Sequence, residues 1–325
     1  MSEWLVKHSA ELDEAGNLLL PEYHTQLQAV TDGHAYSPLT RYTVLAISGD
    51  DATAFLQGQF SCDVAAIAAN GVTLGSYSTA KGRMQASFVL AAVDGVYYLI
   101  LRHDIAEVFR RRLSMFVLRA KVKIADASTM LLPWLVQLPA LGAPGVTPMS
   151  AGAIAIDLGN GIGLHLLPPG QTPVLAAGQL AVGSMAAELV FIRAGLGWVS
   201  QATYEEFVPQ MLNLELIGGI SFKKGCYPGQ EIVARTQYLG KVKRRMYRAL
   251  IRNAANLSEG APLIAAATGD QVIGRVVQLC PVAENCFEVL LVIQRAAWDD
   301  QVRLQHVADA SIEKLTLPYA FPDAD

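Results

Sequence analysis

Cys226 is the side chain whose setting most suggests chemistry. It lies in the stretch Gly219-Ile-Ser-Phe-Lys-Lys-Gly-Cys-Tyr-Pro-Gly-Gln-Glu-Ile-Val-Ala-Arg235. Ile220 to Phe222 reads as a short extended piece, and Gly225 permits a tight bend. Pro228 suits the first turn of a helix running through Ile232 and Val233 to Leu239, with Gly240 as its stop. On this reading Cys226 sits just ahead of a helix N-terminus and two residues after Lys224. The helix dipole and a nearby cation both favour a thiolate over a thiol. Such a thiolate, if exposed, would serve as a nucleophile, a metal or cluster ligand, or a redox-sensitive group. The opposite reading is a small residue packed under the turn and inert, since buried cysteine is common. Spacing alone leaves both open.

The same region is strongly basic. Lys223, Lys224, Arg235, Lys241, Lys243, Arg244, Arg245 and Arg248 crowd a stretch whose one acid is Glu231. A solvated positive face explains such a run, and so does docking of an anion: the carboxylate tail of a ligand or an acidic partner. Direct nucleic-acid binding is the weaker option, because no recognisable RNA module accompanies the run. Arg110, Arg111 and Arg112 fall on the polar side of a helix and face solvent. Cys280 and Cys286 flank a hairpin loop, but two ligands without a nearby histidine do not make a metal site. Cys62, in an apolar context, reads as core, and the six histidines form no recognisable pair.

The positioning elements follow from pattern. Residues 1–35 are mixed and read as a leading arm with one short helix. Thr43–Ile47 is a strand, and Asp50 or Asp51 caps a helix through Phe55 and Leu56 that stops at Gly58. Asp94-Gly95 joins two apolar runs as a hairpin. Asp104 caps a helix with Ile105, Val108, Phe109, Leu113 and Phe116 at helical spacing, and Lys121–Ile124 returns as a strand. This arrangement is α+β and ferredoxin-like. A Pro/Gly-rich passage from Leu138 to Gly152 leads to a second half. There Ser184 caps a helix ending at Gly195, and Pro209 opens a short helix ending at Gly218-Gly219. After Arg245, short strands separated by Gly, Asn and Pro read as a small all-β domain.

Lys-Gly-Cys-Tyr-x-Gly-Gln-Glu, here Lys224 to Glu231 with Pro228 in the variable place, resembles the signature of the YgfZ family. These are tetrahydrofolate-binding relatives of the glycine-cleavage T-protein. Pro209–Asn213, Gly218–Phe222 and Val233-Ala-Arg235 agree with it on the flanks. Nearer the amino terminus so do Ile47–Asp50, Phe55–Gln59 with Asp63, and Thr79-Ala-Lys-Gly-Arg83. The resemblance implies a T-protein-like folate-binding region over 36–245, with subdomains at 36–137 and 150–245, then a small β-barrel over 246–325. It also implies binding of a reduced folate, tetrahydrofolate, and a role in assembling or repairing iron–sulfur client proteins. Among those clients are radical enzymes that modify tRNA. Cys226 would be the functional thiol, framed by Lys224, Gly225, Tyr227, Gly229, Gln230 and Glu231. Tyr42 would stack on the pterin, and Arg235 would contribute to the folate site.

Two departures bear on activity. A second family aromatic is replaced by Ala187, and Arg83-Met-Gln-Ala-Ser87 lacks the carboxylate that assists aminomethyl transfer in T-proteins. Without an acid or base there, that reaction is not expected. A folate-dependent one-carbon transferase and a direct tRNA-binding accessory are the competing expectations.

Bulk properties set the frame. Half the 325 residues are apolar and 17% are charged, enough for sizeable cores and against disorder. A net charge of −4 excludes a general polyanion binder, so any anion contact is local. Four cysteines without a paired spacing fit a reducing cytoplasm. No signal peptide or membrane span is expected.

Overall fold

The computed structural model describes residues 1–138, 143–240, 242–265, 271–298, 302–307 and 309–322. Three sheets carry the chain. The amino-terminal stretch is more than an arm with one helix. It forms α1 (Ser2–Lys7), a small hairpin pairing Glu11–Leu12 with Leu18–Leu19, and α2 (Tyr23–Thr31). Few apolar residues mark these elements in sequence because they are held by packing. Trp4 packs edge-on to Trp134, and the Leu18 amide donates to Ser184 Oγ at 2.9 Å.

The first sheet is antiparallel, in the order Val72–Ser78, Met84–Val93, Val96–Arg102, Tyr42–Ser48, Lys123–Asp126. Asp94 and Gly95 both take positive φ, +48° and +79°, so the hairpin turns as expected. Met84–Val93 is buried at every position, because both faces of the sheet are covered. The helix α3 (Ala52–Gln57) ends at Gly58 and has Asp51 as its N-cap, as expected, but the Asp51 side chain makes no capping bond, since its Oδ2 accepts the Lys121 amide at 2.7 Å instead. The helix α4 (His103–Ser114) buries Ile105, Ala106, Phe109 and Leu113. Val108 and Phe116, expected in that stripe, are 49% and 40% exposed. The buried line is narrow, at steps of four, and the helix stops before Phe116.

The second sheet runs Gly145–Pro148, Ile154–Asp157, Ile162–Leu167, Leu132–Gln137, Ala35–Pro38, Leu180–Ala181, with the last pair parallel. The strands Ala35–Pro38 and Leu132–Gln137, which flank the first sheet in sequence, therefore belong to the second. The helix α5 (Ser184–Ala194) is apolar nearly all round and buried, as such a helix must be. Gly183 is its N-cap, and the Ser184 hydroxyl is engaged by the hairpin rather than capping α5.

The third sheet is antiparallel: Val302–Leu304, Pro262–Ala265, Val272–Ala283, Cys286–Gln294, Arg244–Arg252, Ser311–Leu315. It curls around its own core, including Tyr247, Ile251, Ile273 and Leu291, with a bulge between Val276 and Gln278 that bends the longest strand. Among the described residues its end strands, Val302–Leu304 and Ser311–Leu315, do not pair in a ladder. The expected barrel is thus a half-barrel.

A buried polar network ties the first sheet, α5 and the third sheet together. Glu188 on α5 accepts from Tyr42 Oη at 3.1 Å and from Gln278 Nε2. Arg41 and Arg102 pair with Glu259 at 3.2 and 3.1 Å, and Arg41 reaches Glu188 at 3.5 Å. Burial opposes a charge on Arg102, but the Glu188 and Glu259 carboxylates outweigh it and hold the guanidinium firmly protonated. Among the described residues, no helix is long and apolar enough to cross a membrane.

Candidate functional site: an anchored thiol loop beside a central cavity

Cys226 is exposed. The segment around it is tied down at several points, which is why the sequence folds tightly there without regular structure. Upstream, the Ser221 amide donates to the Ser61 carbonyl at 2.8 Å, and Ser61 Oγ donates to the Gly219 carbonyl at 2.7 Å. Lys224 Nζ donates to the carbonyls of Gln57, Phe60 and Cys62 at 2.5, 2.5 and 3.0 Å and lies 4.9 Å from the centroid of the Tyr227 ring. Gln57 is the last residue of α3, so the ammonium acts as a C-terminal cap on carbonyls that the helix leaves unpaired.

This assigns Lys224 a different part from that expected. Its donors are committed to backbone carbonyls, and burial holds its amine below the usual lysine range. The cation two residues before the thiol is thus an anchor for the loop. Tyr227 is buried, and burial with the nearby Cys62 pushes its phenol up to about 12.

Downstream, Gly229 takes φ +82° and crosses the Thr79–Arg83 turn. A Cβ there would lie 2.6 Å from the Thr79 carbonyl oxygen and 2.7 Å from Gly82 Cα. Gly229, not Pro228, is the N-cap of α6 (Gln230–Tyr238), so Pro228 lies outside the helix. Gln210 Nε2 donates to the Val233 carbonyl at 2.7 Å, fixing α6 from below. Glu231 is exposed in the first turn, and Gln230 is half-buried. The Phe55–Gln59, Thr79–Arg83 and Lys224–Glu231 motifs, up to 176 positions apart, thus converge on one loop.

Two connected chambers lie between the sheets. The inner one is a crevice of only about 10 Å³, lined by Gly75, Ser87, Phe88, Gly197 and Trp198, and it shares Leu74, Leu196 and Ile217 with an outer chamber of about 410 Å³. The outer lining adds Thr73, Leu158, Asn160 and Tyr319. Ser87 Oγ accepts the Val199 amide at 2.8 Å. Trp198 Nε1 is a buried donor without an acceptor among the described residues. The outer volume suits a fused bicyclic ring with an aromatic extension. Thr73 and Asn160 are the polar side chains of its lining that would meet a pterin head, with Trp198 in the crevice next to it.

Tyr42 lines neither chamber. Its ring is 5% exposed and packs edge-on against Trp198 at 5.1 Å, while its hydroxyl is bound to Glu188. Burial and the Glu188 charge push its phenol well up. Tyr42 therefore stands one ring behind the wall that Trp198 forms. Arg235 is exposed on α6 and lines neither chamber. Trp198 escaped the sequence reading; the signal that marks it is a rare tryptophan directly after Gly195-Leu-Gly197, where small residues open space.

The Arg83–Ser87 stretch has no acid of its own, yet one reaches it from elsewhere. Glu205 accepts from Gln85 Nε2 at 2.6 Å, and its amide donates to the Met84 carbonyl at 2.9 Å. Cys62 and Cys280 are buried, and burial pushes both thiols up to about 12.

The basic run separates in space. Arg248 pairs with Glu288 at 2.6 Å, buried Arg245 pairs with Glu215, and Lys223 is exposed. Lys241 lies outside the described residues. Lys243, Arg244 and Arg245, with Arg83 and Arg295, line an open cleft of about 1430 Å³. That cleft meets the C-terminal part of α6 at Thr236, Gln237 and Gly240.

This architecture, two sheet-based halves and a curled third sheet around a central cavity, is that of the aminomethyltransferase T-proteins. The glycine cleavage system aminomethyltransferase T of Bartonella henselae superposes with a TM-score of 0.71 over 97% of this chain and 96% of that one, at 13% sequence identity. Among curated proteins, the chain is 28% identical to the tRNA-modifying protein YgfZ of Vibrio atlanticus, over 94% of its own length and 98% of the relative's. It is 31% identical to the YgfZ of Photobacterium profundum, over 64% of this chain and 68% of that one. No protein-family model matches the chain. The chain belongs to the YgfZ family.

Proposed function

We propose that this protein binds a reduced folate in the central chambers and uses Cys226 to support assembly or repair of iron–sulfur proteins, including enzymes that modify tRNA. The observation that carries the reading is the placement of the thiol: Cys226 is exposed, while Lys224, Tyr227 and Gly229 around it are fixed by capping, burial and a backbone crossing. An exposed thiol presented on a rigid mount suits exchange with a partner protein rather than turnover of a small substrate. The names of its relatives, tRNA-modifying protein YgfZ, agree with that direction.

Folate binding rests on the T-protein-like fold, the outer chamber's volume and the unpaired Trp198 indole beside it. Classical aminomethyl transfer is the second reading. Glu205 is the carboxylate that would have to serve it, but this residue is held by Gln85 and lines neither chamber. Calorimetric titration of the protein with tetrahydrofolate tests the proposal, using wild type, Trp198→Ala and Cys226→Ala. Binding should be weakened by Trp198→Ala and kept by Cys226→Ala. Cys226→Ala should nevertheless lower the activity of iron–sulfur enzymes in cells depleted of the wild-type protein. Absence of folate binding, or full complementation by Cys226→Ala, would overturn the corresponding half.

A further inference from the structure

We propose that the basic cleft at the C-terminal end of α6 is a subsite for the γ-linked oligoglutamate tail of a folate whose head occupies the central chambers. This rests on the folate reading above and extends it to the form of the ligand. Leu216 lines both the cleft and the outer chamber, so the two spaces lie on either side of one residue. The chamber, about 410 Å³ and lined by apolar and uncharged polar residues, suits an uncharged ring system. Among the described residues it presents no cation to a chain of carboxylates. The cleft offers the reverse. Among the described residues, Arg83, Lys243, Arg244, Arg245 and Arg295 line it with one carboxylate, Glu215, which is paired with Arg245.

The spacing of these cations suits a flexible polyanion. Arg83 lies on the turn before Met84–Val93, Lys243 and Arg244 at the start of the third sheet, and Arg295 directly after the strand ending at Gln294. Successive glutamyl residues each carry one carboxylate on a mobile chain, which cations on separate elements can engage in turn. Arg83 uses Nη1 on the Glu206 carbonyl at 2.5 Å, and the rest of its planar fork remains for a carboxylate. A nucleic acid would also meet positive charge here. The closeness of the cleft to a chamber lined by no charged side chain among the described residues favours a ligand with an uncharged head and an anionic tail.

The test uses the full chain and measures affinity for monoglutamyl and pentaglutamyl tetrahydrofolate, in wild type and in Lys243→Ala/Arg244→Ala. Lys243 is exposed and Arg244 half-buried, and circular dichroism checks that the variant folds. Three or four screened charge contacts should make the pentaglutamyl form about tenfold tighter in wild type. The preference should shrink at about 0.5 M salt, where screening reaches within a few ångström. The double variant should lose most of it while keeping its monoglutamyl affinity. Equal affinity for the two forms in wild type, or a preference untouched by the variant, overturns the tail subsite and leaves the folate reading standing. If neither form binds, both fall. If the variant loses affinity for unmodified tRNA but keeps the pentaglutamyl preference, the cleft is an RNA surface instead.

Discussion

Replacing Lys224 by methionine keeps the side-chain stem and removes the ammonium that three carbonyls share. Phe60 and Cys62 are 0% and 1% exposed, so water does not readily replace the lost donor. Leaving a buried carbonyl without its partner costs about 1–3 kcal/mol. Gln57 is half-exposed and recovers most of its share from solvent. The folded protein is also relieved of burying an ammonium, which offsets part of the loss. The net expectation is a loss of about 2–4 kcal/mol, large for a domain of ordinary stability. Urea unfolding followed by tryptophan fluorescence measures it. Hydrogen exchange should show faster opening across residues 222–229, which the anchor restrains. Alkylation of Cys226 as a function of pH supplies the contrast. Suppose Lys224→Met leaves stability within about 0.5 kcal/mol of wild type and moves the alkylation profile to higher pH. Lys224 would then act on the thiol, and the anchoring argument would be refuted.

Three further outcomes follow from the same geometry. Gly229→Ala places a Cβ at 2.6 Å from the Thr79 oxygen in a left-handed conformation, and backbone cannot yield as a flexible side chain does. A loss of about 2–4 kcal/mol is expected, read from the thermal midpoint, and a variant as stable as wild type would show that the two turns do not cross as described. Cys226→Ser, at an exposed position, should leave the urea midpoint within about 0.5 kcal/mol of wild type, and a larger drop would mean the thiol is packed. Glu259 carries a pH signature: burial raises its pKa, but Arg102 and Arg41 outweigh this and hold it below the ordinary value. Its stabilising share is therefore complete above the unfolded glutamate pKa of about 4.3 and is lost as pH falls through the lower folded value. Stability of Glu259→Gln, measured by urea titration across that acid range, should lack this component; a curve parallel to wild type would count against it.

Much of the local structure was legible because it is written in short-range pattern. The Asp94-Gly95 hairpin, the stop of α3 at Gly58 and that of α5 at Gly195 each depend on one or two residues with a conformational preference. The start of the third sheet near Arg245 was readable from its change of texture. Where the reading slipped, a long-range partner had claimed the group in question. The Asp51 and Ser184 side chains look like helix caps, but Lys121 and Leu18 engage them. Val108 fits a helical period but falls off a stripe whose width only the packed sheet defines.

The candidate site divides in the same way. By itself the sequence determined that a rare eight-residue pattern surrounds Cys226, that glycines flank it, and that Trp198 and the basic run exist. It determined these because residue identity and spacing are local properties. Only the tertiary structure decided what they do together. It turned Lys224 from a neighbour of the thiol into a cap on α3, and withdrew Tyr42 behind Trp198 into a network with Glu188. It also split the basic run, sending Arg248 to Glu288 and Arg245 to Glu215 while Lys243 and Arg244 face the cleft. The physical reason is that a charged or aromatic side chain takes its role from the partners within a few ångström of it. Those partners here lie 30 to 170 residues away along the chain.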